Sequence, residues 1–174
     1  MFRVIAIIAI LLAAAIVFFR VSGGLSAAGP SPLREGRPWQ RLIWLIMLIG
    51  TAVCALTGIG TFIIWGPPIG GWTLILHCLA APLFAIGIAL IALLWAGSYM
   101  GGNCAGSCSF WAMLISGMIA MFSIAFTMTP LFGGANQHLL ISVHRWSSLA
   151  LVFFMALHAA RVAAASRAAR RAGA

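Results

Sequence analysis

The stretch from residue 137 to residue 165, QHLLISVHRWSSLALVFFMALHAARVAAA, decides the fold class of this chain. It is long enough to cross a bilayer, since a transmembrane helix needs about 20 mostly apolar residues. Four further apolar stretches precede it, at about residues 4–19, 40–65, 72–98 and 109–131. Backbone groups in lipid must be paired within their own element. The five stretches therefore predict an all-α integral membrane protein surrounded by lipid.

The composition supports this fold class and excludes several functions. Of the 174 residues, 64% are hydrophobic and 6% are charged, whereas a soluble domain has about 25% charged residues. So few charges exclude a soluble globular domain, and the high hydrophobicity excludes a disordered chain. Glu35 is the only acidic residue in the sequence, which excludes chemistry that needs paired carboxylates. The arginines lie at the ends of apolar runs and form no stripe, so we expect no nucleic-acid partner.

Segments rich in Gly and Pro separate the apolar stretches, because these residues end helices. We expect residues 37–165 to form an up-and-down four-helix transmembrane bundle, followed by a basic tail at 166–174. Residues 1–36 are expected to add one N-terminal transmembrane helix and a linker. The first 28 residues also have the layout of a cleavable secretory signal, but Arg20 directly after the apolar core favours a retained helix.

The positions of the arginines predict the orientation of the chain. One group precedes the second span and consists of Arg20, Arg34, Arg37 and Arg41. A second group lies at or beyond the end of the fifth span and consists of Arg161, Arg167, Arg170 and Arg171. Basic residues mark the cytoplasmic side of a membrane protein. We therefore expect the C-terminus in the cytoplasm and the N-terminus outside.

Two histidines, His77 and His144, lie inside predicted spans at matching depths, about 8–11 Å below the outer helix ends. Two neutral imidazoles facing each other across a helix bundle are suited to bind a haem iron. A single histidine in a membrane helix also often hydrogen-bonds a neighbouring carbonyl or hydroxyl. The matched depth of the pair favours a cofactor site.

Further candidates surround this pair. His158 follows His144 by fourteen residues, which places both on one helix face about 21 Å apart, a spacing suited to two stacked haem sites. Arg145 lies near the outer interface, where it could pair with a haem propionate. Gly58 would allow either a porphyrin or another helix to approach closely. His138 is expected at the solvated outer end of its helix.

These residues resemble those of the four-helix membrane b-type cytochromes, which include bacterial cytochrome b561 and the cytochrome subunits of formate dehydrogenase and nickel-iron hydrogenase. The resemblance covers about residues 37–165. It is strongest in HRWSSLALVFFMALHAAR (144–161), which is similar to the last helix of the family with its two haem ligands. LHCLAAPLFAIG (76–87) and IWLIMLIGTAVCALTGIG (43–60) are similar to the second and first core helices.

The resemblance implies that His77 and His144 hold an outer haem b. Ile43 stands where the family has a histidine ligand for an inner haem, and an alkyl side chain cannot bind iron. Met47 or Met113 would have to replace that ligand, although buried methionines usually only pack. We therefore expect one haem b.

His158 would then be free for another role. It either exchanges a proton and a hydrogen bond with a quinone, as the resemblance suggests, or is bonded to a backbone carbonyl.

By the same resemblance, the expected function is that of a haem b subunit in a bacterial inner membrane. It would transfer electrons between a partner redox protein and the quinone pool. The sequence has no nucleotide-binding motif, so the catalytic centre would belong to the partner and no catalytic residue is assigned here. Two alternatives remain open: a stand-alone quinone or superoxide oxidoreductase of the b561 type, and a haem-free structural or assembly subunit.

The four cysteines carry a weaker signal. Cys54 and Cys78 lie within spans, where we expect them to pack as small apolar residues. Cys104 and Cys108 form a C-x3-C pair in a glycine-rich segment, which is not the C-x-x-C-H motif of covalent haem attachment. A structural role or a partner contact is expected there, with thiol–disulfide chemistry as the last alternative.

Overall fold

The computed structural model describes residues 38–64, 66, 69–100, 104–130 and 133–172. All elements in these ranges are helices. The predicted N-terminal span at residues 4–19 lies outside the described residues.

Four long helices make up the described structure. Helix α1 runs over Pro38–Ile64 and contains one π-helical turn at Leu56–Gly60. Helices α2, α3 and α4 follow, at Gly71–Met100, Cys104–Thr127 and Gly134–Ala172. Each contains a segment long and apolar enough to cross a membrane, which confirms the four core spans predicted from hydropathy.

One break between helices is shorter than predicted. The break expected over residues 97–109 is reduced, because α2 continues to Met100 and α3 begins at Cys104. Gly and Ser residues at the edges of this break are thus part of helices, whose backbone bonds are made internally. Helix α4 continues to Ala172, so the basic tail predicted at 166–174 is helical up to that residue.

Contacts between helices show that α1 is antiparallel to α2 and that α3 is antiparallel to α4. Between α1 and α2, Gly50 lies against Phe84 while Gly87, further along α2, lies against Met47, earlier in α1. Between α3 and α4, the early residue Ser109 meets the late residue His158, and Ala120 meets His144. The four helices thus form an up-and-down bundle.

The two ends of the bundle are named here by the residues of α1. The Ile64 end contains the end of α1, the start of α2, the end of α3 and the start of α4. The Pro38 end lies opposite and contains the start of α1 and the later part of α4. Arg41 and Arg161 both lie toward the Pro38 end, since Trp44 of α1 contacts His158 of α4 there.

The main core fills the middle of the bundle and extends toward the Pro38 end. Its buried members come from all four helices: Trp44, Met47, Phe84, Ile88, Ile91, Trp95, Tyr99, Phe110, Met113, Leu114, Leu151 and Met155. The outer faces are apolar as well, with Leu93 and Leu79 81% and 69% exposed. An apolar surface of this kind is expected where the solvent is lipid.

Close packing of α1 on α2 depends on Gly87. A Cβ atom at this position would lie 2.9 Å from Cβ and 3.1 Å from Cα of Met47. The second distance is to the backbone of α1, so any side chain at position 87 would push the two helices apart.

We therefore predict that Gly87→Ala destabilises the protein by about 1–3 kcal/mol, the usual range for overpacking a filled core. Gly97→Ala is the matched control on the same helix, because a Cβ atom there would meet nothing within 4 Å. Thermal unfolding in detergent measures both variants. Equal melting temperatures for the two variants would contradict the packing described here.

Candidate functional site

The structure brings His77 and His144 together across the bundle. Their ring centres are 6.3 Å apart and their ring planes are nearly perpendicular, at 84°. His77 lies about 9 Å and His144 about 15 Å along the axis from the first residue of its own helix. The rings meet because α2 and α4 begin at different heights.

Both imidazoles are held by hydrogen bonds to the main chain of a neighbouring helix. His144 Nδ1–H donates to the carbonyl oxygen of Ala120 on α3, at 2.8 Å. His77 Nδ1–H donates to the carbonyl oxygen of Cys54 on α1, at 3.1 Å, and Thr57 Oγ1 lies at the same distance. Because a carbonyl oxygen only accepts, the proton of each neutral ring is on Nδ1. The lone pair of each Nε2 is then available to a metal.

The π-helical turn of α1 shapes the place where His77 sits. Within it, Gly58 leaves room for the imidazole, since a Cβ atom there would lie 3.1 Å from Cε1 of His77. The hydroxyl of Thr57 donates to the carbonyl oxygen of Val53 at 2.6 Å and can accept from Nδ1–H of His77. π-Turns within α-helices occur frequently at functional sites. The space at Gly58, expected for a porphyrin or a helix, is occupied by the His77 ring.

The spacing of the two rings would allow one metal between them. With metal–nitrogen bonds of about 2 Å, two imidazoles that hold one metal have ring centres about 6 Å apart. The observed 6.3 Å is close to this spacing, which is also that of an ordinary edge-to-face ring pair, and both rings are only partly buried. Among the described residues, no group of three or more His, Cys, Asp or Glu could hold a metal ion. Two imidazoles alone suit a metal that brings its other ligands with it, as haem iron does.

Arg145 lies beside the histidine pair, toward the Ile64 end. Its guanidinium stands over the ring of Phe62 on α1, 5.0 Å from the ring centre, a cation–π arrangement that restrains the side chain. The residue is exposed and carries the positive charge nearest in sequence to His144. His138 is exposed on α4, closer to the Ile64 end.

His158 lies far from this pair and in a different environment. It is 4% exposed, and its Nδ1 is 3.3 Å from Ser109 Oγ. The ring stacks on Trp44 at 5.9 Å and 13°, and Tyr99 and Phe110 lie at 5.8 and 5.9 Å between ring centres. These four side chains, Trp44, Tyr99, Phe110 and His158, are called the four-ring cluster. Each helix contributes one of them.

Two polar atoms inside the four-ring cluster are unusual. His158 Nε2 and Trp44 Nε1 are both buried and have no hydrogen-bond partner among the described residues. The residue of α1 that stacks on His158 is Trp44, whereas Ile43 is partly buried at the edge of the core. The described residues therefore provide no second imidazole to His158.

Both methionines considered as substitute ligands belong to the packed core. Met47 and Met113 are each 0% exposed, and Met47 fills the space above Gly87. Their burial agrees with a packing role.

Cys54 lies beside the histidine pair, whereas Cys78 and Cys108 lie on the surface. Cys54, whose carbonyl oxygen binds His77, has its thiol 3.9 Å from the carbonyl oxygen of His77. Cys78 and Cys108 are exposed, and all three thiols are free. Cys104 and Cys108 were expected in a loop, but Cys104 is the first residue of α3 and Cys108 the fifth, so the pair lies at the start of that helix.

Comparisons with models of known families, with curated proteins and with solved structures found no match to this chain. Of the predicted residues, His77, His144 and Gly58 lie together, Arg145 lies at the rim and His158 lies apart. Sequence reasoning missed Thr57 as a contact of His77, although its hydroxyl directly precedes Gly58.

We predict that His158→Ala lowers stability by about 2–4 kcal/mol, as for other large-to-small core substitutions, and that His158→Phe lowers it by less. Phenylalanine keeps the stacked ring and removes the Nε2 that has no partner, but it also removes the Nδ1 contact of the buried Ser109 hydroxyl, so a smaller loss of about 1 kcal/mol is expected. Thermal unfolding in detergent gives both values. Equal destabilisation by the two substitutions would show that the polar atoms of His158 are needed.

Proposed function

We propose that this chain is a membrane electron-transfer subunit that holds one haem b between His77 and His144. It passes electrons between a partner redox protein and the quinone pool. The observation that carries this proposal is the paired imidazoles, 6.3 Å apart with both Nδ1 atoms bonded to main-chain carbonyls. A bound haem would supply a reversible one-electron carrier.

The residues around His77 and His144 would orient the two imidazoles for haem binding. The carbonyl oxygens of Cys54 and Ala120 orient the two rings and, by accepting from Nδ1–H, increase the basicity of Nε2. Arg145 offers a guanidinium at the rim, where it would pair with an anionic carboxylate of the cofactor. The apolar bundle excludes water and provides a medium of low dielectric constant.

Two histidine ligands would suit a haem to electron transfer. His77 and His144 would both hold its iron, whereas a catalytic metal site keeps one coordination position open for substrate. This donor set favours an electron-transfer subunit over a stand-alone oxidoreductase that binds superoxide at iron. We therefore assign substrate chemistry to a partner subunit.

We also propose a location, a bacterial inner membrane, on the basis of the family resemblance. The arginine distribution favours an orientation with the Pro38 end on the cytoplasmic side. The histidine pair then lies toward the outer face. The N-terminal apolar segment would add a fifth span and place the N-terminus outside.

The direct test is a reduced-minus-oxidised spectrum of the purified protein, with haem counted per chain by the pyridine haemochrome method. We expect a b-type spectrum and about one haem per chain. His77→Ala and His144→Ala should each lose it. His158→Phe, the matched control on α4, should keep it.

The absence of haem from freshly solubilised protein made with an ample haem supply would overturn the proposal and leave the structural subunit as the better account. Retention of a wild-type spectrum in both alanine variants would overturn the assignment of the ligands.

A second prediction concerns the fit of His77 in the π-turn. Gly58→Ala should weaken haem binding by about 10–100-fold, the usual loss when a group that orients a metal ligand is disturbed. Gly60→Ala is the control in the same turn, because the nearest atom to a Cβ there is 4.0 Å away. Haem titration of the apo-protein compares them. Equal affinities would contradict the role given to Gly58.

A further inference from the structure

We infer that electrons enter and leave this protein at the Ile64 end only, because the four-ring cluster closes the Pro38 end to a second cofactor. This inference rests on the proposed function. It adds that the electron donor and acceptor both act from the side of the histidine pair.

The first support is the enclosure of His158, the one histidine of the described residues near the Pro38 end. Trp44 and Tyr99 are 5% and 4% exposed, and Phe110 is 0% exposed. Their ring centres lie within 5.9 Å of the imidazole. Since the rings come from three different helices, His158 is covered from three directions, and Ser109 contacts its Nδ1.

The second support is the packing next to the four-ring cluster. Met47, Ile91 and Met113 are all 0% exposed and belong to the same core as the three rings that surround His158. A planar macrocycle bound to His158 would have to displace the indole of Trp44 that stacks on it. The residues at this end therefore do not fit the inner haem for which the resembled family has a histidine at the position of Ile43.

The third support is the distance between the histidine pair and the Pro38 end. His144 and His158 are fourteen residues apart on α4, which corresponds to about 21 Å along the helix axis. Electron tunnelling through protein falls off exponentially with distance, so a reagent at the Pro38 end is poorly placed to exchange electrons with the His77–His144 site. At the opposite end, both of these rings are partly exposed.

Oriented vesicles test the inference. The haem-loaded protein carries an affinity tag after Ala174 and is reconstituted in phospholipid vesicles. Because α4 runs toward the Pro38 end, the tag marks that end. Tag capture separates vesicles with the Pro38 end outside from those with the Ile64 end outside. Dithionite, a membrane-impermeant electron donor, is then added outside and the b-type spectrum is followed.

We expect rapid reduction in vesicles with the Ile64 end outside. Vesicles with the Pro38 end outside should lack the rapid phase until detergent opens them. Rapid reduction from both sides, or from the Pro38 side alone, would overturn the inference while leaving the one-haem proposal intact. Two haems per chain would overturn it as well, and a chain without haem would overturn both.

Discussion

Two hydrogen bonds that cross between helices orient the imidazoles of the candidate site. His77 on α2 donates to the main chain of α1 at Cys54, and His144 on α4 donates to the main chain of α3 at Ala120. In a lipid environment an imidazole N–H without a partner is costly. These bonds therefore tie each helix pair together and, at the same time, leave Nε2 of both rings as the available nitrogen.

The two ends of the bundle use histidine in opposite ways. Toward the Ile64 end, the rings of His77 and His144 are partly exposed and oriented by carbonyl groups, with Gly58 providing the space that His77 needs. Toward the Pro38 end, His158 is enclosed by one aromatic ring from each of the other helices. One end has the features of a ligand site, whereas the other has those of a packed core.

The sequence predicted the four core spans well because the length and hydropathy of membrane helices are strong signals. Helix faces are harder to predict, since helices that are apolar all round, such as α2, have no distinct polar side. A rotation of one residue, 100°, separates Ile43 from Trp44, and it is Trp44 that meets His158. The π-turn and the contact of Thr57 with His77 depend on tertiary packing, so hydropathy does not reveal them.

The most direct test of the central claim, that His77 and His144 share one metal, is low-temperature electron paramagnetic resonance of the oxidised protein in membranes. Two imidazoles on one ferric haem give a low-spin signal, and ring planes near the observed 84° give a strongly anisotropic one. We expect this signal in the wild type and its loss when either histidine is replaced by alanine. A high-spin signal, or a low-spin signal that persists without His77, would contradict the account.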